Sequence, residues 1–194
     1  MNISNVNVYV GTLCNNAKKK ICDSFLSNWY NLKKCINEDK KGKLRTYFTF
    51  KEHFIREKYT FLNDFKVRQA ICKIRISAHP LMIEIGRYKN LETEERLCKL
   101  CITLKIEDEY HFLIDCPIYN NSRKICYQKI LELCSNFNNM SEKSKIYYLF
   151  TNENRSIIYI FGKCIIECHE TRKLQQGYDT EIFFLFLFIL LIFF

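Results

Sequence analysis

The sequence predicts a mainly α fold, interrupted once by a small irregular module near its middle. Three observations predict this. Apolar residues recur at steps of three and four along most of the 194 residues. The chain holds only five glycines and two prolines, too few for a glycine-rich sandwich or a dinucleotide-binding fold. Between residues 98 and 116, cysteine and histidine fall at spacings no regular helix requires. At 48% apolar and 15% aromatic residues the chain has material for a core, and it is too short for a complete polymerase.

Taken in order, residues 1–15 read as a loose leader, in which Val6, Val8 and Val10 alternate as in a short strand. Residues 16–90 read as a basic helical region. Its first helix places Ile21, Phe25, Trp29 and Leu32 on one face, and a polar loop from Asn37 to Lys43 ends it. A second run opens at Thr49, a suitable N-cap, and carries Phe50, Phe54, Ile55, Phe61 and Leu62 up to Asn63 and Asp64. A third buries Val67, Ala70, Ile71 and Ile74, with Pro80 stopping it, and Glu84 to Asn90 reads as a turn or helix end. Residues 91–117 are the irregular module. Residues 118–175 return to helical spacing, with Ile125, Ile130, Leu131 and Cys134 inward on one helix. Ser141 opens another, and Asn152 to Lys173 forms a last long helix that buries Ile157, Ile158, Phe161, Ile165 and Ile166. Residues 176–194 form a hydrophobic tail.

Charge follows the same divisions. Lys and Arg number 30 against 21 Asp and Glu, a net +9 that favours a polyanionic partner. Residues 17–45 carry nine cations and three carboxylates, and residues 46–90 carry nine and four. Residues 91–117 reverse the sign, with three and seven. RNA or DNA contacts are therefore expected on the flanking helices, at Lys18, Lys19, Lys20, Lys40, Lys41, Lys43 and Arg45, and on a second stripe of Lys66, Arg68, Lys73 and Arg75. A solvated face is the competing reading of either stripe, and nothing indicates base-specific readout. Phosphate would be repelled from the module by Glu92, Glu94, Glu95, Glu107, Asp108 and Glu109.

The module itself carries the sharpest signal. Cys98 and Cys101 form a Cys-x-x-Cys pair, His111 follows after nine residues and Cys116 after four more. Three thiolates and an imidazole satisfy a tetrahedral zinc ion and fill all its positions, so a structural site is expected and no catalytic residue is assigned. Ordinary reduced cysteines are the alternative. Asp108 is placed to cap a short helical segment carrying His111, Pro117 to end it, and Tyr110, Phe112 and Leu113 to form a mini-core. The expected architecture is thus a small helical domain built around a Cys-Cys-His-Cys zinc module.

The run from Arg75 through His79, Glu84 and Gly86 to Tyr88, then Cys98-Lys-Leu-Cys101, then Glu107-Asp-Glu-Tyr-His111-Phe-Leu-Ile-Asp-Cys116-Pro117, resembles the C-terminal zinc-binding region of LINE-type (non-LTR) retrotransposon reverse transcriptase proteins. The resemblance covers roughly residues 44–123. It implies that Cys98, Cys101, His111 and Cys116 are the zinc ligands, and that the chain associates with element RNA or target DNA. No paired-aspartate polymerase motif or defensible endonuclease pattern accompanies it, so the chain resembles a detached tail of such a protein. A zinc-stabilised protein-interaction module with its own protein partner, and an element fragment with no selected activity, are the alternatives.

Of the remaining features, His79 before Pro80 reads as a structural turn histidine. Cys164 and Cys168 read as core and surface thiols, and Cys126 and Cys134 as packed on a helix. The eleven cysteines, with no hydrophobic signal between Met1 and Gly11, suit an intracellular setting, nuclear or cytoplasmic, with thiols reduced or metal-bound. The 13 apolar residues from Ile182 would span about 20 Å as a helix against a hydrocarbon core of about 30 Å, so membrane contact by the tail is not expected. Residues with AT-rich codons dominate the chain, and the tail reads as translated T-rich noncoding DNA.

Overall fold

Seven α-helices and several shorter helical turns follow one another in the computed structural model, which describes the backbone of residues 3–39 and 44–193 and the side chains of residues 15–35 and 44–177. The helices are α1 (Ile3–Asp39), α2 (Arg45–Phe50), α3 (Phe65–Arg75), α4 (Met82–Tyr88), α5 (Asn120–Leu131), α6 (Glu142–Thr151) and α7 (Arg155–Phe193). Among the described residues there is no strand, only one antiparallel bridge between Leu97 and Ile106. Within residues 15–35 and 44–177 no helix is long and apolar enough to cross a membrane. The chain divides into two compact units, Met1–Ile55 and Arg56–Phe194, a boundary inside the stretch 16–90.

In the first unit, α1 starts at Ile3, within the stretch expected as a loose leader or strand. A helix closes its hydrogen bonds locally, whereas the alternating Val6, Val8 and Val10 would need a strand partner. Of the four residues expected on one buried face only Trp29 is enclosed, against Phe48 and Phe54 with ring centroids 5.7 and 5.8 Å away. Ile21, Phe25 and Leu32 are exposed. The helix expected from Thr49 is displaced: α2 ends at Phe50, and Thr49 is no N-cap, because its hydroxyl donates back to the Arg45 carbonyl at 2.8 Å.

The second unit is organised on α7. Helix α3 buries Val67, Ala70, Ile71 and Ile74, as the spacing predicts, and packs on α7. Gly162 lets the two helices approach: a Cβ there would lie 2.5 Å from Val67 Cγ1 and 3.0 Å from Ile71 Cδ1. Asp64 starts α3 by accepting from the Val67 amide at 3.1 Å and pairs with Lys163 of α7 at 3.2 Å. The helix ends before Pro80. Ser77 takes a left-handed conformation (φ 53°), its amide bonds to the Ile74 carbonyl, and the Ala78 amide bonds to that of Lys73.

The stretch from Glu84 to Asn90, expected as a turn or helix end, holds the end of α4, whose first amides are held by Glu107: Met82 N donates to its Oε2 at 2.7 Å and Ile83 N to its carbonyl at 3.1 Å. Helix α5 packs on α7 through Cys126 and Ile130, but Ile125, expected inward, is exposed. Ser141 caps α6 as predicted, accepting from Ser144 N. Helix α7 starts at Arg155, with Asn154 accepting from Ser156 N at 2.9 Å, and Ile157, Ile158, Phe161 and Ile165 are buried, while Ile166, expected with them, is half-buried.

Candidate metal centre

Two short pieces of chain converge to make the centre. The first is a tight loop clamped at its base by the Leu97–Ile106 bridge, where Cys98 N donates to Lys105 O at 2.8 Å and Glu107 N to Arg96 O at 2.9 Å. This clamp turns Cys98 and Cys101 to the same side, and Leu104 closes the loop with φ 51°. The Leu100 amide is directed at Cys98 Sγ. The second piece is one wide helical turn, His111–Asp115, started by Asp108, whose Oδ1 accepts from His111 N at 2.7 Å. It ends where Cys116 N bonds to His111 O at 2.7 Å and Pro117 follows, with the Ile118 amide directed at Cys116 Sγ. Phe112 and Leu113 are buried beneath it.

One donor atom each from Cys98, Cys101, His111 and Cys116 lies within 4.8 Å of every other. A tetrahedral zinc ion with ordinary bond lengths needs sulfur–sulfur separations of about 3.8 Å. The donors are therefore gathered at nearly the required size, and Cys101 Sγ is already 3.4 Å from His111 Nε2. Cys98, His111 and Cys116 are buried and Cys101 is half-buried. The cluster could hold a metal ion, and its sulfur-rich donor set suits a soft or borderline cation.

The surroundings orient these donors. His111 Nδ1 lies 3.2 Å from Asp115 Oδ2, which pairs with Lys105 Nζ at 2.7 Å, so the carboxylate fixes the ring with Nε2 facing the thiols. Lys105 in turn holds the Asp115 carboxyl below its ordinary range. The hydrogen bond to Cys116 and then burial push the Cys98 thiol up to about 12, and the same bond holds Cys116 low. Burial alone would lower His111, but its contacts with Cys98, Asp115 and Cys101 outweigh that and raise it to about 9. A cation entering the site thus displaces protons.

No protein-family profile, curated protein or solved structure matches the chain.

Behind the donors lies a buried polar network that the sequence did not reveal. Glu107, 1% exposed, makes a two-pronged ion pair with Arg172 of α7 and also accepts from Cys98 Sγ at 3.5 Å. Arg123 of α5, also buried, donates to the Phe112 and Cys116 carbonyls and so ties the second piece to α5. His79 is buried as a turn residue with Nε2 2.8 Å from Glu109 Oε1. Glu107 and Glu109, expected to repel phosphate, instead face inward to cationic or hydrogen-bonding partners.

The predicted nucleic-acid residues are scattered by the structure. Lys18, Lys19 and Lys20 lie exposed on α1, and Arg45 opens α2. Lys40, Lys41 and Lys43 lie outside the described residues. Lys66 and Lys73 are exposed on α3, while Arg68 turns back to the Leu62 and Asn63 carbonyls. Arg75 does not belong to the stripe. It is 2% exposed, pairs with Glu57 at 2.8 Å and donates to Phe150 O, because its position faces the core beside Ile74. Cys126, Cys164 and Cys168 are all buried on α5 and α7, where the Cys164 thiol hydrogen-bonds to both of the others, so Cys168 is no surface thiol.

Proposed function

We propose that the Cys98, Cys101, His111 and Cys116 cluster is a structural zinc site, and that the chain is a non-catalytic, nucleic-acid-binding tail of the LINE-type reverse transcriptase kind. The observation that carries the zinc reading is the convergence of four borderline-to-soft donors with Asp115 already seated behind His111. Zinc would supply a rigid crosslink between residues 98–101 and 111–116; four protein donors leave it no position for a reacting water. Arg123 and the Glu107–Arg172 pair would pass that rigidity to α5 and α7. The nucleic-acid reading rests on the net +9 and on the exposed lysines of α1 and α3. An acidic docking face for a protein partner has less support, since Glu107 and Glu109 are buried among partners.

Metal analysis of protein purified under reducing conditions tests the site. One zinc per chain is expected, and none in the Cys98→Ser/Cys101→Ser variant. Folded protein without metal overturns the reading. RNA affinity that falls steeply with salt supports nucleic-acid binding, and salt-independent or absent affinity counts against it.

A further inference from the structure

The faces of α3 and α7 that flank their buried contact diverge at one edge into an open cleft of about 460 Å³. From α3, Lys66, Gln69, Ala70 and Lys73 line it at helical spacing, and from α7, Ile166, His169, Glu170 and Lys173 do the same. The rim is cationic. Lys66, Lys73 and Lys173 are all exposed, and among the described residues none of the three has an ion-pair partner; Glu170 is the one carboxylate lining the cleft. Lys73 and Lys173 both act electrostatically on His169, which places the two walls within reach of one group. The floor is different in kind: Ala70, Ala78, Pro80 and Ile166 are apolar, and the His169 ring leans on Phe112 at a 36° tilt with centroids 4.8 Å apart. His79 also lines the cleft, and its Nδ1 is buried without a partner among the described residues.

An unpaired cationic rim over an apolar and imidazole floor matches the two halves of a nucleotide, phosphate and base. An acidic peptide would use the rim and leave the floor idle. The volume takes one or two nucleotides and no duplex. We infer that this cleft binds single-stranded nucleic acid, with Lys66, Lys73 and Lys173 on the phosphates and a base laid on His169 and Pro80. The inference rests on the nucleic-acid reading above and gives it a location. It also brings in Lys173 and His169, which the charge stripes of the sequence do not single out.

Fluorescence anisotropy with the zinc-loaded full chain and a labelled ten-nucleotide oligothymidylate tests this. The Lys66→Ala/Lys73→Ala/Lys173→Ala variant should lose about tenfold or more in affinity, and its log–log salt slope should shrink by about 2. A matched variant on exposed lysines elsewhere, Lys124→Ala/Lys129→Ala/Lys143→Ala, should stay within about twofold. An abasic strand of equal length should bind wild-type protein at least about fivefold more weakly. Equal losses in the two triple variants, or no loss in the cleft variant while wild type binds, overturn the cleft and leave the nucleic-acid reading standing. Equal affinity for the abasic strand overturns the base seat. Polyglutamate competing as well as the oligonucleotide assigns the cleft to an acidic protein, and wild-type protein that binds no strand at low salt overturns both readings together.

Discussion

Asp115 decides how well His111 can serve as a ligand. Its carboxylate sits on Nδ1 and leaves Nε2 toward the thiols. Asp115→Asn should therefore keep one metal per chain and lower zinc affinity about 10- to 100-fold, read by competition with a chromophoric chelator. Unchanged affinity would show that the ring is fixed by packing alone. The spacing from His111 to Asp115, one helical turn, makes this partner readable in the sequence. Glu107 is the opposite case, since its partner Arg172 is 65 residues away. Arg172→Met would leave a buried carboxylate unpaired beside Cys98 and should cost about 3–5 kcal/mol in denaturant unfolding. Adding Glu107→Gln should recover part of that loss, because it removes the stranded charge.

At the scale of elements, the packing of α3 on α7 depends on the missing side chain at Gly162. Gly162→Ala gains about 1 kcal/mol of helix propensity but pushes a methyl into Val67 and Ile71, a strain of about 1–3 kcal/mol. A net loss is expected, seen as a midpoint lowered by a few degrees. Val67→Ala should be less harmful in that background than alone, because it vacates the space the new methyl needs. The buried positions of α3 were legible from spacing, as were Ser141 and the core face of α7. The placement of α2 was not. The aromatic residues from Phe48 to Phe54 fit a helix in more than one register, and the packing of Trp29 on Phe48 and Phe54 decides between them.

For the whole molecule, the most direct test is acid stability. Burial, followed by repulsion from His79, Arg172, Lys173 and Lys73, depresses His169 to about 4. In the unfolded chain the same ring titrates near 6.5, so between pH 6.5 and 4 the unfolded state takes up a proton that the folded state refuses. Stability should fall as pH drops through that window, by at most about 3 kcal/mol from this residue. Loss of a metal held by the four donors would act in the same direction, so the comparison is between wild type and His169→Phe at equal metal content. The variant should show a shallower decline from pH 7 to 5 in chemical unfolding; equal slopes would show that His169 is not the group responsible.

The helical character of the chain, the core face of α3 and the four residues of the Cys/His cluster can all be read before folding, because each is encoded in short-range spacing. Helical periodicity repeats within a turn or two, and the donors of the module lie within 19 residues of one another. Tertiary structure alone decided which charges face water. Arg75, placed on a cationic stripe from the sequence, is buried on a carbonyl brought from another element, and Arg123 and Arg172, to which spacing assigns no role, are buried likewise on a carbonyl and a carboxylate. It also set Lys173 opposite Lys66 and Lys73, since a cleft between two helices exists only once their apolar faces have met.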